Sequence, residues 1–578
     1  MINSELSINS GKIYESIKIQ KTMRDKICNC FKKALGFISR ILSVIKRFVR
    51  GKEEILILIG ILIIASFFRL WQLGTIPPGL YPDEAINANQ AALEPGKIFY
   101  PENNGREGLY INLLSLSFNL FGVSIFSARL VSALIGILTV LGIYLLCKQL
   151  FAKARVIPLL AAFFLAVCFW HVNFSRILFR AILVPFFLIY GFYFLFKGFR
   201  NALSHRNSKG YKKWLNFVLA GIFMGFGFHT YIAFRLSVLI LFPVLLAWFF
   251  LYRQENKTKK FLQFAACSLF VTFLVGLPIA FYFLQNPADF FGRSAGVSVF
   301  SQDQWLFRFA ESFVTHLGMF NFMGDGNWRH NIAGQPILFW PVGVLFIIGL
   351  IYSFWEIKQS IKAKDWQLVL SQSFLLLWLG VMLLPGVLTY EGIPHSLRVI
   401  GAIPPVFILS ALGGYLVFRQ IRQRVRIEPE PLTLAFVGMC LFALIASFVL
   451  AQYSLYFELW GLNKETAGAF GRNLIQAGNY LNSLPLGVKK YVVVGGTDVL
   501  VNGIPMPAQT IMFIETLKYG RPNSTYILPS ITDLLKIESQ GPAVIVLLRY
   551  DEQTLFNLLD IFPKGGIERQ GNLWIYKI

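Results

Sequence analysis

Residues 55–87 read ILILIGILIIASFFRLWQLGTIPPGLYPDEAIN, and this stretch decides the class of the protein. Ile55 to Leu73 is almost entirely apolar and long enough to cross ~30 Å of hydrocarbon as a helix. Pro77, Pro78 and Gly79 then end it, and the acid pair Asp83-Glu84 comes shortly after the exit. Carboxylates at that depth lie near lipid headgroups or in a water-filled cavity of a membrane protein. An enzyme that draws its substrate from lipid needs a base in such a place.

Outward from that stretch the composition agrees. Of 578 residues 55% are hydrophobic and 15% charged, with 57 Phe and 12 Trp, more apolar content than a soluble core of this size requires. Apolar runs of spanning length recur near 55–73, 125–147, 156–172, 178–197, 214–231, 233–252, 261–284, 336–356, 367–389, 397–418 and 432–452. They predict a polytopic α-helical membrane protein with about 11 transmembrane helices. The net charge of +24 invites a nucleic-acid reading, but Lys and Arg are sorted by loop. Lys148/Lys153/Arg155, 197–213, Arg253/Lys257/Lys259/Lys260, Lys358/Lys362/Lys364 and Arg419/Arg422/Arg424/Arg426 fall in alternate connections. The intervening ones hold Asp83, Glu84, Glu94, Glu102, Glu107, Asp289, Asp303, Asp325 and Glu391. The positive-inside rule makes the basic loops cytoplasmic and the acidic ones external, which fits a multi-pass plasma-membrane protein and argues against nucleic acid as a partner.

The chain divides into three regions. Residues 1–54 show no cleavable signal. Ile27, Phe31, Leu35, Ile38, Leu42, Ile45 and Val49 recur at helical spacing among Lys and Arg, as in a cytoplasmic helix lying on anionic lipid. Residues 55–452 form the transmembrane region, with long external loops near 74–124 and 285–335. From 453 to 578 short β-type runs (491–494, 525–528, 543–548) alternate with helical patterns near 465–483, 507–518, 530–538 and 551–561, before a hairpin ending in Trp574-Ile575-Tyr576. This predicts an extracytoplasmic α/β domain with a mostly parallel sheet. Gly495-Gly496-Thr497 does not complete a dinucleotide fingerprint. The six cysteines lie on the cytoplasmic side or in apolar runs, and Cys28-x-Cys30 has no second ligand pair at zinc spacing.

The external segments carry the chemistry. The first continues through Asn103-Asn104-Gly105-Arg106-Glu107-Gly108 into 109–118, apolar but too short to span, which suits an interfacial helix. Arg106 and Glu107 are read as supports of that loop. The second ends in Gly324-Asp325-Gly326-Asn327-Trp328-Arg329-His330-Asn331. Cations also gather at external span ends: Arg176 after His171-Val172-Asn173-Phe174-Ser175, Arg180 one turn later, His229-Thr230-Tyr231 through Arg235, and His395-Ser396-Leu397-Arg398. One such arginine often only snorkels to lipid phosphate. Several on the face that carries a carboxylate pair favour a site for an anionic, lipid-linked ligand, because guanidinium stays charged and binds phosphate bidentately.

With an Asp-Glu pair in the first external loop and an interfacial helix after it, the chain resembles the GT-C superfamily of membrane glycosyltransferases over residues 55 to 420. It is most similar to the family 39 group of protein O-mannosyltransferases and bacterial aminoarabinose transferases, in a bacterial or archaeal form. Phe174-Ser175-Arg176, Tyr231 to Arg235, Gly324-Asp325 with Arg329-His330, and Ser396-Leu397-Arg398 are the other matching pieces. The loop after the seventh run holds no large β-rich insert, which puts protein as acceptor in question. The resemblance implies an inverting transfer of a hexosyl or pentosyl group from a polyprenyl-phosphate donor to a hydroxyl of a glycan, lipid or protein. It implies Asp83 as catalytic base with Glu84 beside it, and Arg176, His229, Tyr231, Arg235, Asp325, Arg329, His330 and Arg398 as donor-phosphate and sugar contacts. No cofactor is required; a divalent cation could replace some of these cations, but the sequence shows no cage of acids to hold one.

The rival class is a transporter or lipid flippase without transferase activity, for which an internal repeat with broken helices in corresponding positions would speak, and none is visible. A related enzyme transferring a whole lipid-linked oligosaccharide would share the fold. Topology is directly testable. Cysteines placed at Asn104, Asn327 and Asn523 are expected to react with a membrane-impermeant thiol reagent in intact spheroplasts, and those at Ser208 and Gln423 only after permeabilisation. Failure at Asn104 would put Asp83-Glu84 on the cytoplasmic side.

Overall fold

The computed structural model describes residues 51–203, 210–291, 296–424, 431–495, 499–538 and 540–578, so the amphipathic pattern expected before residue 50 lies outside the described residues. A first unit ends at Gly60 and contributes, of the described residues, only the start of helix Glu53–Leu70. Every other element belongs to the second unit, Ile61–Ile578.

Eight helices among the described residues are long and apolar enough to cross a membrane: Ile125–Leu150, Arg180–Leu203, Ile232–Gln254, Thr258–Gln285, Trp340–Lys362, Trp366–Val387, Ile400–Gln423 and Phe436–Trp460. The other three expected spans are shorter or more polar. Helix Glu53–Leu70 carries Glu53, Glu54 and Arg69. The run at 156–172 breaks at Cys168, whose extended backbone (ψ 135°) separates Val156–Val167 from the short Phe169–Phe174. The apolar part of helix Gly210–Gly227 is Trp214–Gly227. Between lipid-embedded helices apolar burial gives little drive, so close backbone packing at small residues must hold them. Gly349 and Gly413 provide it: a Cβ on Gly349 would stand 1.8 Å from the Leu409 carbonyl oxygen, and one on Gly413 2.0 Å from that of Leu345.

The first long loop is built on helix Pro82–Leu93, started by Pro82 at its first position and by the extended Tyr81 before it. A small antiparallel ladder pairs Phe99 with Glu107 and Tyr100 with Arg106. Helix Leu109–Phe121 comes next, burying Tyr110, Ile111, Leu114 and Phe118 and exposing Leu116, Leu120 and Phe121, as an interfacial helix should. The second long loop contains a helix that sequence reading passed over, Trp305–Gly318. It turns Trp305, Leu306, Phe313, Val314 and Leu317 outward and Ser312 and His316 inward, the reverse of a helix on a soluble protein.

The C-terminal sheet has five strands in the order Thr525–Ile527, Lys489–Val493, Ala543–Leu547, Leu573–Lys577, Gly566–Gln570. The first three are parallel and the last two add antiparallel, with Tyr491 opposite Thr525 and Ile545, and Ile545 opposite Tyr576. The period of two sorts the side chains. Val492, Val494, Val544 and Val546 face Leu474, Leu481 and Ile511 of helices Arg472–Ser483 and Ala508–Tyr519. Tyr491, Val493, Ile545 and Leu547 face Leu534, Leu558 and Phe562 on the other side. Both faces are covered, so the strands read as unbroken apolar runs. Helix Ala508–Tyr519 also reaches the first loop. Thr510 donates to the Leu80 carbonyl (2.9 Å), Asn89 donates to the backbone and side-chain oxygens of Gln509 (both 2.9 Å), and Ile86 packs with Val501 and Met506.

Gly413→Ala is expected to force the two helices apart and to cost about 1–3 kcal/mol, read as a lower unfolding temperature of the detergent-solubilised protein. Gly438→Ala, where an added Cβ meets nothing within 4 Å, is expected to leave it unchanged.

Candidate active site

The site is built on the residues that hold Asp83 in place. Arg129 donates to the carbonyls of Pro77 (2.9 Å), Gly79 (2.7 Å) and, longer, Leu73 (3.4 Å). Arg176 donates to those of Phe68 (2.8 Å), Trp71 (2.7 Å) and Ile76 (2.9 Å). Two buried guanidiniums therefore fix the backbone from the end of helix Glu53–Leu70 to the turn before Asp83. Glu84 completes the arrangement. One carboxylate oxygen accepts the Tyr81 amide (3.1 Å); the other accepts that of Leu178 (3.0 Å) and lies 3.6 Å from Arg129 Nε. Burial pushes the Glu84 carboxyl above its usual range, and Arg129 and the two amides pull it back only in part.

Two sequence assignments change as a result. Glu84 is a fully buried tie between the helix start and Leu178, with no face toward a substrate. Arg176 is fully buried, its terminal nitrogens spent on main-chain carbonyls, so it holds the loop and does not face a phosphate.

Asp83, Asn87 and Gln90 stand at i, i+4 and i+7, one face of the helix. Asp83 is half-buried and accepts a 2.6 Å hydrogen bond from Asn103. Arg106 lies along the same face and donates to Asn87 (2.8 Å) and Gln90 (2.6 Å). Burial, with Arg180 close by, draws its guanidinium down to about 9, still charged at neutral pH. Tyr81 lies beside Asp83, its ring centroid 3.9 Å from the Arg329 guanidinium. Burial and then the Asp83 carboxylate push the Tyr81 phenol up to about 12 against the opposing pull of Arg329, so it stays a neutral donor. Arg329 is positioned by Asn327 (3.1 Å) and by Asn173, which donates to its carbonyl (2.8 Å).

A second cluster surrounds Glu107. Arg180 Nε pairs with one oxygen at 2.8 Å and Arg235 approaches the other at 3.7 Å. Arg180 stacks over Tyr231 (5.3 Å) and Arg235 over Phe283 (4.8 Å) and Phe290 (4.4 Å). His229 bonds the Val275 carbonyl (2.9 Å), and burial lowers its imidazole below the usual range although Glu107 acts the other way. Glu107 is buried, while both arginines keep about a fifth of their side chains exposed (19% and 20%). Two cations are thus drawn together and left accessible.

The third cluster joins the loops at 325 and 395. Asp325 accepts from Ser396 N–H and Oγ–H (both 2.8 Å) and is 3.1 Å from His330 Nδ1. Although burial acts to raise it, the His330 imidazole and the Ser396 amide hold the Asp325 carboxyl far below its usual range. The ring of His330 is 5.0 Å from that of His395. Arg398 stands apart: it donates to Thr389 (2.8 Å) and to the carbonyl (2.9 Å) and carboxylate (2.8 Å) of Glu391. Its terminal nitrogens bond within its own turn, so it is not drawn to Glu107 as Arg180 and Arg235 are. Asp325, His330 and His395 are the described residues able to hold a metal.

The geometry adds Tyr81, Asn103, Asn87, Gln90 and Arg129 to the residues read from sequence. Asn87 and Gln90 were open to reading, since 83, 87 and 90 share a helical face; nothing local to Arg129 marks it.

Residues 109–281 match the family model described as dolichyl-phosphate-mannose-protein mannosyltransferase. No curated protein matches the chain. Among solved structures, ArnT from Cupriavidus metallidurans bound to undecaprenyl phosphate matches with 13% identity and a TM-score of 0.50, over 91% of this chain and 98% of that one. The Archaeoglobus fulgidus oligosaccharyltransferase tethered to an acceptor peptide matches with 16% identity and a TM-score of 0.50, over 83% of this chain. The chain spans only 64% of the length of that oligosaccharyltransferase. These likenesses show the fold alone: the chain shares its architecture with these two structures.

Removing one member of the buried pair separates its parts. Arg129→Met is expected to destabilise by about 3–5 kcal/mol, because Glu84 is left buried without a cation and the Pro77 and Gly79 carbonyls without a donor, and Glu84→Gln to cost less because Arg129 keeps those carbonyls. Chemical unfolding of the solubilised variants compares them, and equal losses would mean that the carbonyl bonds of Arg129 contribute little.

Proposed function

We propose that the chain is an inverting glycosyltransferase that takes a hexosyl or pentosyl group from a polyprenyl-phosphate donor to a hydroxyl of a glycan, lipid or protein at the external face of the plasma membrane. The observation that carries this reading is the contrast among neighbouring carboxylates. Glu84 and Glu107 are buried against arginines, whereas Asp83 stays half-exposed on a fixed helix start, oriented by Asn103. A rigidly held, half-exposed carboxylate with a guanidinium, Arg329, on the far side of the adjoining Tyr81 ring suits single displacement at a sugar phosphate.

In that reaction the acceptor oxygen attacks the anomeric carbon on the side opposite the phosphate, and Asp83 takes the hydroxyl proton. The bond from anomeric carbon to phosphate oxygen breaks, its electron pair stays on the phosphate, and the configuration inverts. One base suffices, so no second carboxylate at glycosidase spacing is needed. Charge grows on the leaving phosphate, where preorganised cations lower the barrier. Arg180, Arg235 and Arg329 are the guanidiniums assigned to it, with His229 and Tyr231 lining the arginine pair. Arg180 and Arg235 lie inside the stretch that matches the mannosyltransferase model, and the Cupriavidus structure of the same fold was solved with undecaprenyl phosphate. Both support a lipid-phosphate donor.

Asp83→Asn is expected to lower transfer more than ~100-fold in proteoliposomes, since the amide is nearly isosteric but accepts no proton. Mass spectrometry of cell-surface glycans and lipids with and without the gene identifies the product to assay. Near-normal turnover of the purified variant would remove Asp83 from the chemistry. Arg235→Ala is expected to weaken donor binding about tenfold or more, with Arg235→Lys restoring it only in part because lysine cannot bind bidentately. Unchanged donor affinity would return Arg235 to a packing role.

A further inference from the structure

Among the described residues, one group of three metal-ligating side chains brings its donor atoms together: Asp325, His330 and His395 each offer one atom within 4.8 Å of the others. We propose that these residues bind a divalent transition-metal ion, zinc by donor chemistry, which clips the loop at 324–335 to the turn at 393–398. Such a clip would take no part in the chemistry of transfer, although the loop it holds also carries Arg329.

Two imidazoles and a carboxylate are the ligand set of a zinc site with three protein donors and a fourth position for water. They hold a borderline ion better than calcium or magnesium, which prefer oxygen throughout. Asp325 is already oriented by second partners, as metal ligands are. The other oxygen of Asp325 accepts the Asn327 amide (2.8 Å), and Ser396 holds the first through both its N–H and its hydroxyl. His330 packs against the rings of Phe174 (5.6 Å) and Phe179 (6.3 Å). The His395 amide donates to His316 Nε2 (3.2 Å), which fixes the turn.

A separate observation points to a ligand. His395 Nδ1 is shut off from solvent and has no hydrogen-bond partner among the described residues. A buried imidazole nitrogen left in that state costs free energy that a bound ion recovers. Donor atoms in a tetrahedral zinc site stand ~3.3 Å apart, given bond lengths of ~2.0–2.2 Å. The cluster therefore closes by side-chain rotation, with the ion replacing the contact between Asp325 and His330.

The test uses the full-length protein, free of any histidine tag, in detergent. Chelator-stripped protein is titrated with zinc chloride against a chromophoric competitor. The wild type is expected to take up one tightly held zinc. His395→Gln is expected to weaken that site more than ~100-fold, and His395→Cys to retain it because thiolate is a zinc ligand. Wild-type affinity no better than that of His395→Gln would overturn the proposal and leave a hydrogen-bonded histidine cluster. Should the glutamine variant not fold, cobalt(II) in the wild type decides. Intense visible bands of tetrahedral cobalt support the site, and a weak octahedral spectrum refutes it.

Discussion

A guanidinium taken out of water must find acceptors, and in this chain three of them find main-chain carbonyls. Arg69 donates to Ala65, Leu165 and Ala166, and Arg129 and Arg176 take six carbonyls between residues 68 and 79. Carbonyls past the end of a helix have no intrahelical partner, and inside a membrane protein no bulk water replaces one. Each deficit answers the other. The segment leading to Asp83 is thus held by charge-assisted bonds from two other parts of the chain, Arg129 and Arg176, and tied through Arg69 to a third at Leu165 and Ala166.

The gathering of Arg180 and Arg235 obeys a related rule. Two guanidiniums brought together repel each other, and in a partly desolvated place that repulsion is large. Glu107 lies between them and offsets it. An unliganded pair is therefore already ordered, and an arriving anion meets cations that need little rearrangement. Phe283 and Phe290 under Arg235 and Tyr231 under Arg180 limit their freedom further.

Much of this was legible in the sequence because it depends on local quantities. Apolar run length marked the spans, and period-two and apolar-run patterns marked the three parallel strands. The Asp-Glu pair after the first long apolar run marked the loop around which the polar clusters assemble. What stayed hidden is pairing at a distance. Nothing around Arg176 shows that its acceptors are carbonyls near residues 68–76, or that Arg398 turns back on Glu391 while Arg235 stays accessible. All three appear as cations at span ends, and only the fold distinguishes them. Glu84 shows the same limit within a single dipeptide, since adjacent residues on a helix point apart and only the surroundings decide which is buried. Helix Trp305–Gly318 was missed because its apolar face is exposed, so its pattern suited neither a span nor a core helix.

The contact between Thr510 and the Leu80 carbonyl joins residues 430 positions apart. A ribosome makes the first loop long before it makes helix Ala508–Tyr519, and until then Leu80, Asn89 and Ile86 lack the partners that close over them. The helix that carries Asp83 is thus closed over on this flank only after residue 510 has been translated. A product stalled before that point would leave Leu80, Asn89 and Ile86 uncovered.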